Sequence, residues 1–127
     1  MKMTAADWDL IPNFKAQEFN CKHTGRNEME VDFIAALQDL RAAYGKPMII
    51  SSGYRDPTHP IEARKARPGT HAQGIAADIA VSGADAHRLV ALAMIMGFTG
   101  IGVSQKAGRG RFIHLDLSTA RTAIWSY

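Results

Sequence analysis

The stretch His71-Ala-Gln-Gly-Ile-Ala-Ala-Asp78, answered much later by His114-Leu-Asp116, restricts this chain more than any other part of it. For His71, Asp78 and His114 to meet at one ion, the chain must turn tightly between the first two and bring the third in from a distant strand. Gly74 permits such a turn, and the small Ala76 and Ala77 leave room for backbone to pass close beneath the ion. Two imidazoles and one carboxylate are the ligand set of a catalytic zinc ion, with a fourth position left for water. A histidine taken singly is more often a surface or core imidazole, and that is the reading for His23, His59 and His87.

A chain of 127 residues is one domain, spanning 1–127, and at this size roughly two thirds of the unfolded surface can be buried. A single cysteine, Cys21, excludes an intramolecular disulfide framework, so the fold must stand on its core and on a metal. The formal charge of +3 gives a mild attraction to polyanions. Nucleic acid is not an expected partner, because neither a recognition motif nor an interleaved stripe of aromatic and basic residues is present. No apolar run approaches the length of a membrane span. Residues 1–9 carry acids and no apolar signal region, so the chain is expected to be made and kept in the cytoplasm unless something releases it.

The elements predict an α+β fold, a small antiparallel sheet with flanking helices. Phe14 to Phe19 read as a short helical turn packing two aromatics. Val31, Ile34, Leu37, Leu40 and Tyr44 recur at the spacing of one buried helix face, over about Glu28 to Tyr44. Asn27 is the expected N-cap, and Gly45 followed by Pro47 the expected stop. Met48–Ser52 and Ala77–Val81 read as strands, separated by a polar loop over 54–70 with a basic cluster at Arg64, Lys65 and Arg67. Ser82-Gly-Ala-Asp85 resembles a capping box opening a helix through Met96, with Gly97 ending it. Thr99–Ser104 and Arg111–Leu117 alternate as strands of a hairpin joined through Gly108-Arg-Gly110.

These residues resemble the zinc D-Ala-D-Ala carboxypeptidase and L-alanyl-D-glutamate endopeptidase family, whose zinc fold is shared with the Hedgehog signalling domain. The resemblance runs along nearly the whole chain. It is carried by Glu18-Phe19, the helix end at Leu37 to Gly45, Ser51-Ser-Gly-Tyr-Arg55 and the core His71-x-x-Gly74-x-Ala76-x-Asp78. Gly100-Ile-Gly-Val103, Phe112-Ile-His-Leu-Asp116, Arg121 and Trp125 complete it. The family's compact, signal-free phage endolysins are similar in size.

The resemblance implies Zn2+ as cofactor, held by His71, Asp78 and His114, and a peptidoglycan stem peptide as substrate. Arg55 matches an arginine at the family's substrate site, where its planar fork suits a carboxylate or a developing oxyanion; the competing reading is an ion pair with Asp56 or Asp116. Tyr54 and Thr70 are the further candidates for substrate contact, with a core position the equal alternative for Tyr54 because it stands at a strand end. Relatives often carry an acid or a histidine two or three residues before the last ligand, but here Phe112 and Arg111 occupy those places. Asp116 alternates with His114 on the same strand face and is a candidate either for the general base or for orienting a ligand. Glu62 and His59 are alternatives for the base. Gly69 stands where relatives usually carry serine, with Thr70 as the substitute hydrogen-bonding group.

The expected activity is hydrolysis of the L-Ala-D-Glu bond, with D-Ala-D-Ala carboxypeptidase activity next, in a monomer that reaches the wall through a holin or on a phage particle. A zinc-bearing but inactive wall-binding module, or a phage structural component, is the alternative.

Overall fold

The computed structural model describes all residues, 1–127. Five strands form one mixed sheet in the order β1 (Ile49–Ser52), β2 (Ala76–Ala80), β4 (Phe112–Asp116), β3 (Gly100–Ser104) and β5 (Ala123–Ser126). Four helices accompany it: α1 (Ala5–Asp9), α2 (Val31–Tyr44), α3 (Pro60–Ala63) and α4 (Gly83–Ile95), with a 3₁₀ turn at Ala16–Phe19. No helix is long and apolar enough to cross a membrane.

The strands of the sheet are two-faced because side chains alternate along them. Ala77 and Ile79 of β2, Ile101 of β3, and Ile113 and Leu115 of β4 are buried in the hydrophobic core, with Phe33, Ile34, Leu37 and Leu40 of α2 and Leu89 and Ala93 of α4. Asp78, His114 and Asp116, one position out of phase, project from the other face. The apolar period that buries the helices thus also fixes which strand residues are left for chemistry.

Some expectations are corrected by the structure. The sheet is not wholly antiparallel, since β5 pairs parallel with β3. Both edges of β4 are already taken by β2 and β3, so the chain leaving β4 passes over to the outer edge of β3 and runs in its direction. α2 begins at Val31 with Glu30 as N-cap, and Phe33 rather than Val31 is buried. Asn27 instead accepts from the Met29 backbone and donates to the Ala16 carbonyl, tying the 3₁₀ turn to the approach of α2. The capping box at α4 does not form: Gly83 N–H donates to Gln105, and Asp85 pairs with Lys46 at 2.9 Å.

Gly45 and Gly74 both adopt φ +77°, the left-handed region that disfavours side chains. Their surroundings differ. A Cβ on Gly45 would meet nothing, whereas one on Gly74 would overlap the Glu28 carbonyl oxygen. Gly45→Ala is therefore expected to destabilise by about 1–2 kcal/mol from backbone strain alone. Gly74→Ala should lose about 2–4 kcal/mol, because displacement of packed backbone is added. Urea denaturation of the two variants checks the order.

Candidate active site

The register of β2 against β4 sets Asp78 directly opposite His114 on the face away from the helices. His71 arrives from the turn that precedes β2, where Gln73 N–H donates to Gly69 and Ile75 N–H to Thr70, folding the chain back over the strand. All three side chains are buried. Asp78 Oδ1 lies 3.3 Å from His71 Nε2 and 3.0 Å from His114 Nδ1, and the two rings stand 5.1 Å apart, edge to face.

The outward nitrogens of both rings are already engaged. His71 Nδ1 lies 2.7 Å from the Gly53 carbonyl, which can only accept, so this nitrogen carries the proton. His114 Nε2 lies 2.7 Å from Asp116 Oδ2, another acceptor, and is protonated for the same reason. On a neutral ring the inward atom is then a lone pair, and both inward atoms converge on one Asp78 carboxylate oxygen. Three buried acceptors facing one another within 4.8 Å fit a cation between them. A second proton on a ring makes its inward nitrogen a donor to Asp78 instead. Burial alone would raise this carboxyl, but hydrogen bonds with His114 and His71 outweigh it and hold the group well below the usual carboxylate range.

Asp116 has no exposed surface. Its Oδ1 accepts from Ser118 N–H at 3.0 Å and Arg121 Nη1 at 2.9 Å; its Oδ2 accepts from Arg121 Nη2 at 2.8 Å and from His114. Burial pushes this carboxyl up, and the Arg121 fork, His114 and Ser118 together pull it far below its ordinary value. Every lone pair of the carboxylate is in use.

The 54–70 loop builds one wall of a cleft of about 400 Å³ over the three candidate ligands, with Arg55, Ile61, Lys65 and Thr70 lining it. Arg55 is only 19% exposed, and its guanidinium stands 3.6 Å from Asp78 and 3.8 Å from Glu62. Those separations hold it electrostatically while its N–H donors make no hydrogen bond. The ion pairs considered from sequence do not form, since Asp56 binds Arg26 and Thr58, and Asp116 binds Arg121.

Glu62 is buried, accepting from Lys65 Nζ at 2.8 Å and Gly69 N–H at 2.9 Å. A Cβ at position 69 would lie 2.5 Å from Lys65 Nζ, the end of a flexible side chain that can move aside, and 3.1 Å from Glu62. His59 caps α3, its Nδ1 accepting from Ile61 N–H. Neither Glu62 nor His59 lines the cleft. Tyr54 is not brought there either: it is a core residue whose hydroxyl donates to Glu28 at 2.9 Å. Burial and that carboxylate push its pKa up to about 12.

The other wall comes from residues that sequence reasoning left without a role. Phe112, Arg121, Trp125 and Tyr127 line it. The Trp125 ring lies 5.2 Å from His114 and 5.0 Å from the Arg121 guanidinium, a stacked arrangement that fixes the indole. Tyr127 packs on Phe112 at 5.2 Å. Burial raises the Tyr127 hydroxyl above its ordinary pKa, so it remains a donor at neutral pH. Residues 123–127 show no alternation of apolar and polar side chains, so the one signal for this strand was the β-prone Ile124, Trp125 and Tyr127 standing close together.

Two of the three residues of β3 on the site face, Gly100 and Gly102, are glycines. A Cβ on Gly100 would overlap the Asp116 carboxylate. Gly100→Ala, which adds no ligand and removes none, is therefore expected to weaken metal affinity about ten- to a hundredfold by displacing the group that orients His114. Asp116→Asn should act in the same direction. Competition with a chromophoric chelator measures both.

The family model described as Peptidase M15 matches residues 12–116, and no curated protein matches the chain. The matched span contains all three candidate ligands, Arg55 and Asp116, and stops before Arg121, Trp125 and Tyr127. With more than half its length matched and a His-Asp-His group that could hold the metal, this chain belongs to the M15 family of zinc peptidases.

Proposed function

We propose that this protein hydrolyses a peptide bond in the peptidoglycan stem peptide, with His71, Asp78 and His114 as the zinc ligands. The observation that carries the reading is the convergence of three buried acceptors at the floor of a cleft whose wall presents the unbonded donors of Arg55. Zinc, when bound, supplies Lewis acidity toward a peptide carbonyl and toward water. The remaining work falls to the chain itself. Asp116 acts as a positioning residue, because a carboxylate with all its lone pairs taken cannot accept a further proton. It fixes the His114 ring and tautomer, with Arg121 and Ser118 fixing Asp116 in turn. Arg55 offers its fork to a substrate carboxylate or to the oxygen on which charge develops. Thr70 lines the same wall and is available to the substrate backbone.

The stem peptide is rich in carboxylates, which suits a cleft walled by Arg55 and Lys65 and flanked by Arg64 and Arg67. Within that substrate we favour the L-Ala-D-Glu bond, with D-Ala-D-Ala cleavage second, and a monomer acting at the wall after holin-dependent release or from a phage particle. A second reading, a zinc-bearing wall-binding or phage structural module without turnover, is favoured by one observation: Asp78 is the only acid lining the cleft.

Purified sacculi decide between them. The zinc-loaded protein is expected to release soluble fragments, to stop on chelation and to resume with added zinc; zinc binding without release would establish the second reading. His71→Ala, Asp78→Ala and His114→Ala should each lose stoichiometric zinc by elemental analysis, along with activity. Zinc at 100 times its Kd should also add about 2.7 kcal/mol of stability to the native protein and none to these variants. Arg55→Lys should keep its zinc yet lose about ten- to a hundredfold in turnover, the scale of a charged hydrogen bond in the transition state. Native turnover in that variant would make Arg55 structural.

A further inference from the structure

The wall built by β4, β5 and Tyr127 holds a hydrogen-bonding group that neither the metal chemistry nor the fold uses. Gly102 lies opposite Trp125 in the β3–β5 ladder. The space a side chain would occupy there is filled from outside: an added Cβ would lie 2.8 Å from Trp125 Nε1, 2.9 Å from the Tyr127 hydroxyl and 3.0 Å from His114 Cβ. The polar ends of both aromatics thus meet beside a candidate metal ligand, on a strip of sheet without side chains.

The two aromatics are held differently. Trp125 is in contact with His114 and with Arg121, and its Nε1 comes up to the same point over Gly102 as the Tyr127 hydroxyl. The Tyr127 O–H is left free to donate. It has no acceptor within the protein, and the residue is 57% exposed, so the fold does not need this hydroxyl. Tyr127 lines the same cleft as Asp78 and Arg55. Its ring is steadied against Phe112.

We propose that Tyr127 is a substrate-contacting residue, its hydroxyl donating a hydrogen bond to a carbonyl oxygen of the bound peptide from the β4–β5 wall, while Arg55 acts from the 54–70 loop. The contact rests on the peptidase reading of the cleft and lies outside the stretch matched by the family model. Trp125 is the positioning residue for it.

Two hydroxamates of different reach test the contact on the zinc-loaded protein. Acetohydroxamate reaches only the ion, whereas an N-acetylated dipeptide hydroxamate also places backbone carbonyls along the cleft. Tyr127→Phe keeps the packing on Phe112 and is expected to leave zinc content, Tm and acetohydroxamate affinity unchanged. The same variant should bind the dipeptide hydroxamate about three- to tenfold more weakly in titration calorimetry, the scale of one neutral hydrogen bond. Unchanged affinity for the dipeptide probe overturns the proposal. A parallel loss for both probes also overturns it, because Tyr127 would then be acting on the metal site. Intact sacculi after treatment with the native protein, with the difference between probes preserved, would reject peptidoglycan as substrate and support the Tyr127 contact.

Discussion

Asp116 places a negative charge where there is no solvent, and such a charge is tolerable only when every lone pair is taken up. The chain meets this condition with four donors drawn from β4, the residues just after it and the approach to β5. The satisfaction of one carboxylate therefore organises several things at once. It sets the His114 tautomer and docks the segment that follows β4. Through Arg121 it also supplies the cation on which Trp125 stacks. Remove the glycine beneath it and the carboxylate has nowhere to lie.

The same electrostatic logic runs in reverse at the candidate ligands. There the protein gathers a carboxylate and two imidazoles whose outward nitrogens are already used, so that what lies between them is either a proton or a cation. The sheet register together with the Gly74 turn holds the three groups at that spacing. A metal ion taking the place of the proton would add its binding free energy to the stability of the fold.

The parts of the molecule legible in its sequence are those where burial has a period. α2, α4 and the β3–β4 hairpin follow from apolar residues repeating at helical or alternating spacing. The candidate ligands were legible for a related reason: their spacing around Gly74 admits few arrangements. β5 was not legible, because an edge strand with its residues largely exposed buries nothing with a period. Its parallel pairing follows from edges already occupied, a property of the whole sheet. α1 buries no residue, and α3 is a single turn inside a polar loop. Tyr54 stayed open between core and site, because the β1–β2 register shifts between Ile50 and Ser52 and alternation no longer tells which way the next side chains face. Asp116 could be placed on the His114 face from sequence. Its saturation could not, since that depends on where Arg121 returns.

The bare strip formed by Gly100 and Gly102 also makes the site composite. β3 lies between two strands that line the cleft yet contributes no side chain to it, so what covers β3 there is borrowed from neighbours. One neighbour, β4, carries a candidate ligand and the group that orients it. The other, β5, carries aromatics that touch the cavity but ligate nothing. The two halves are held differently: the first by register and charge, the second by its parallel ladder with β3 and by the Arg121 guanidinium over Trp125. A substitution in the outer strand therefore changes the wall of the cleft without replacing a candidate ligand or a residue of the hydrophobic core.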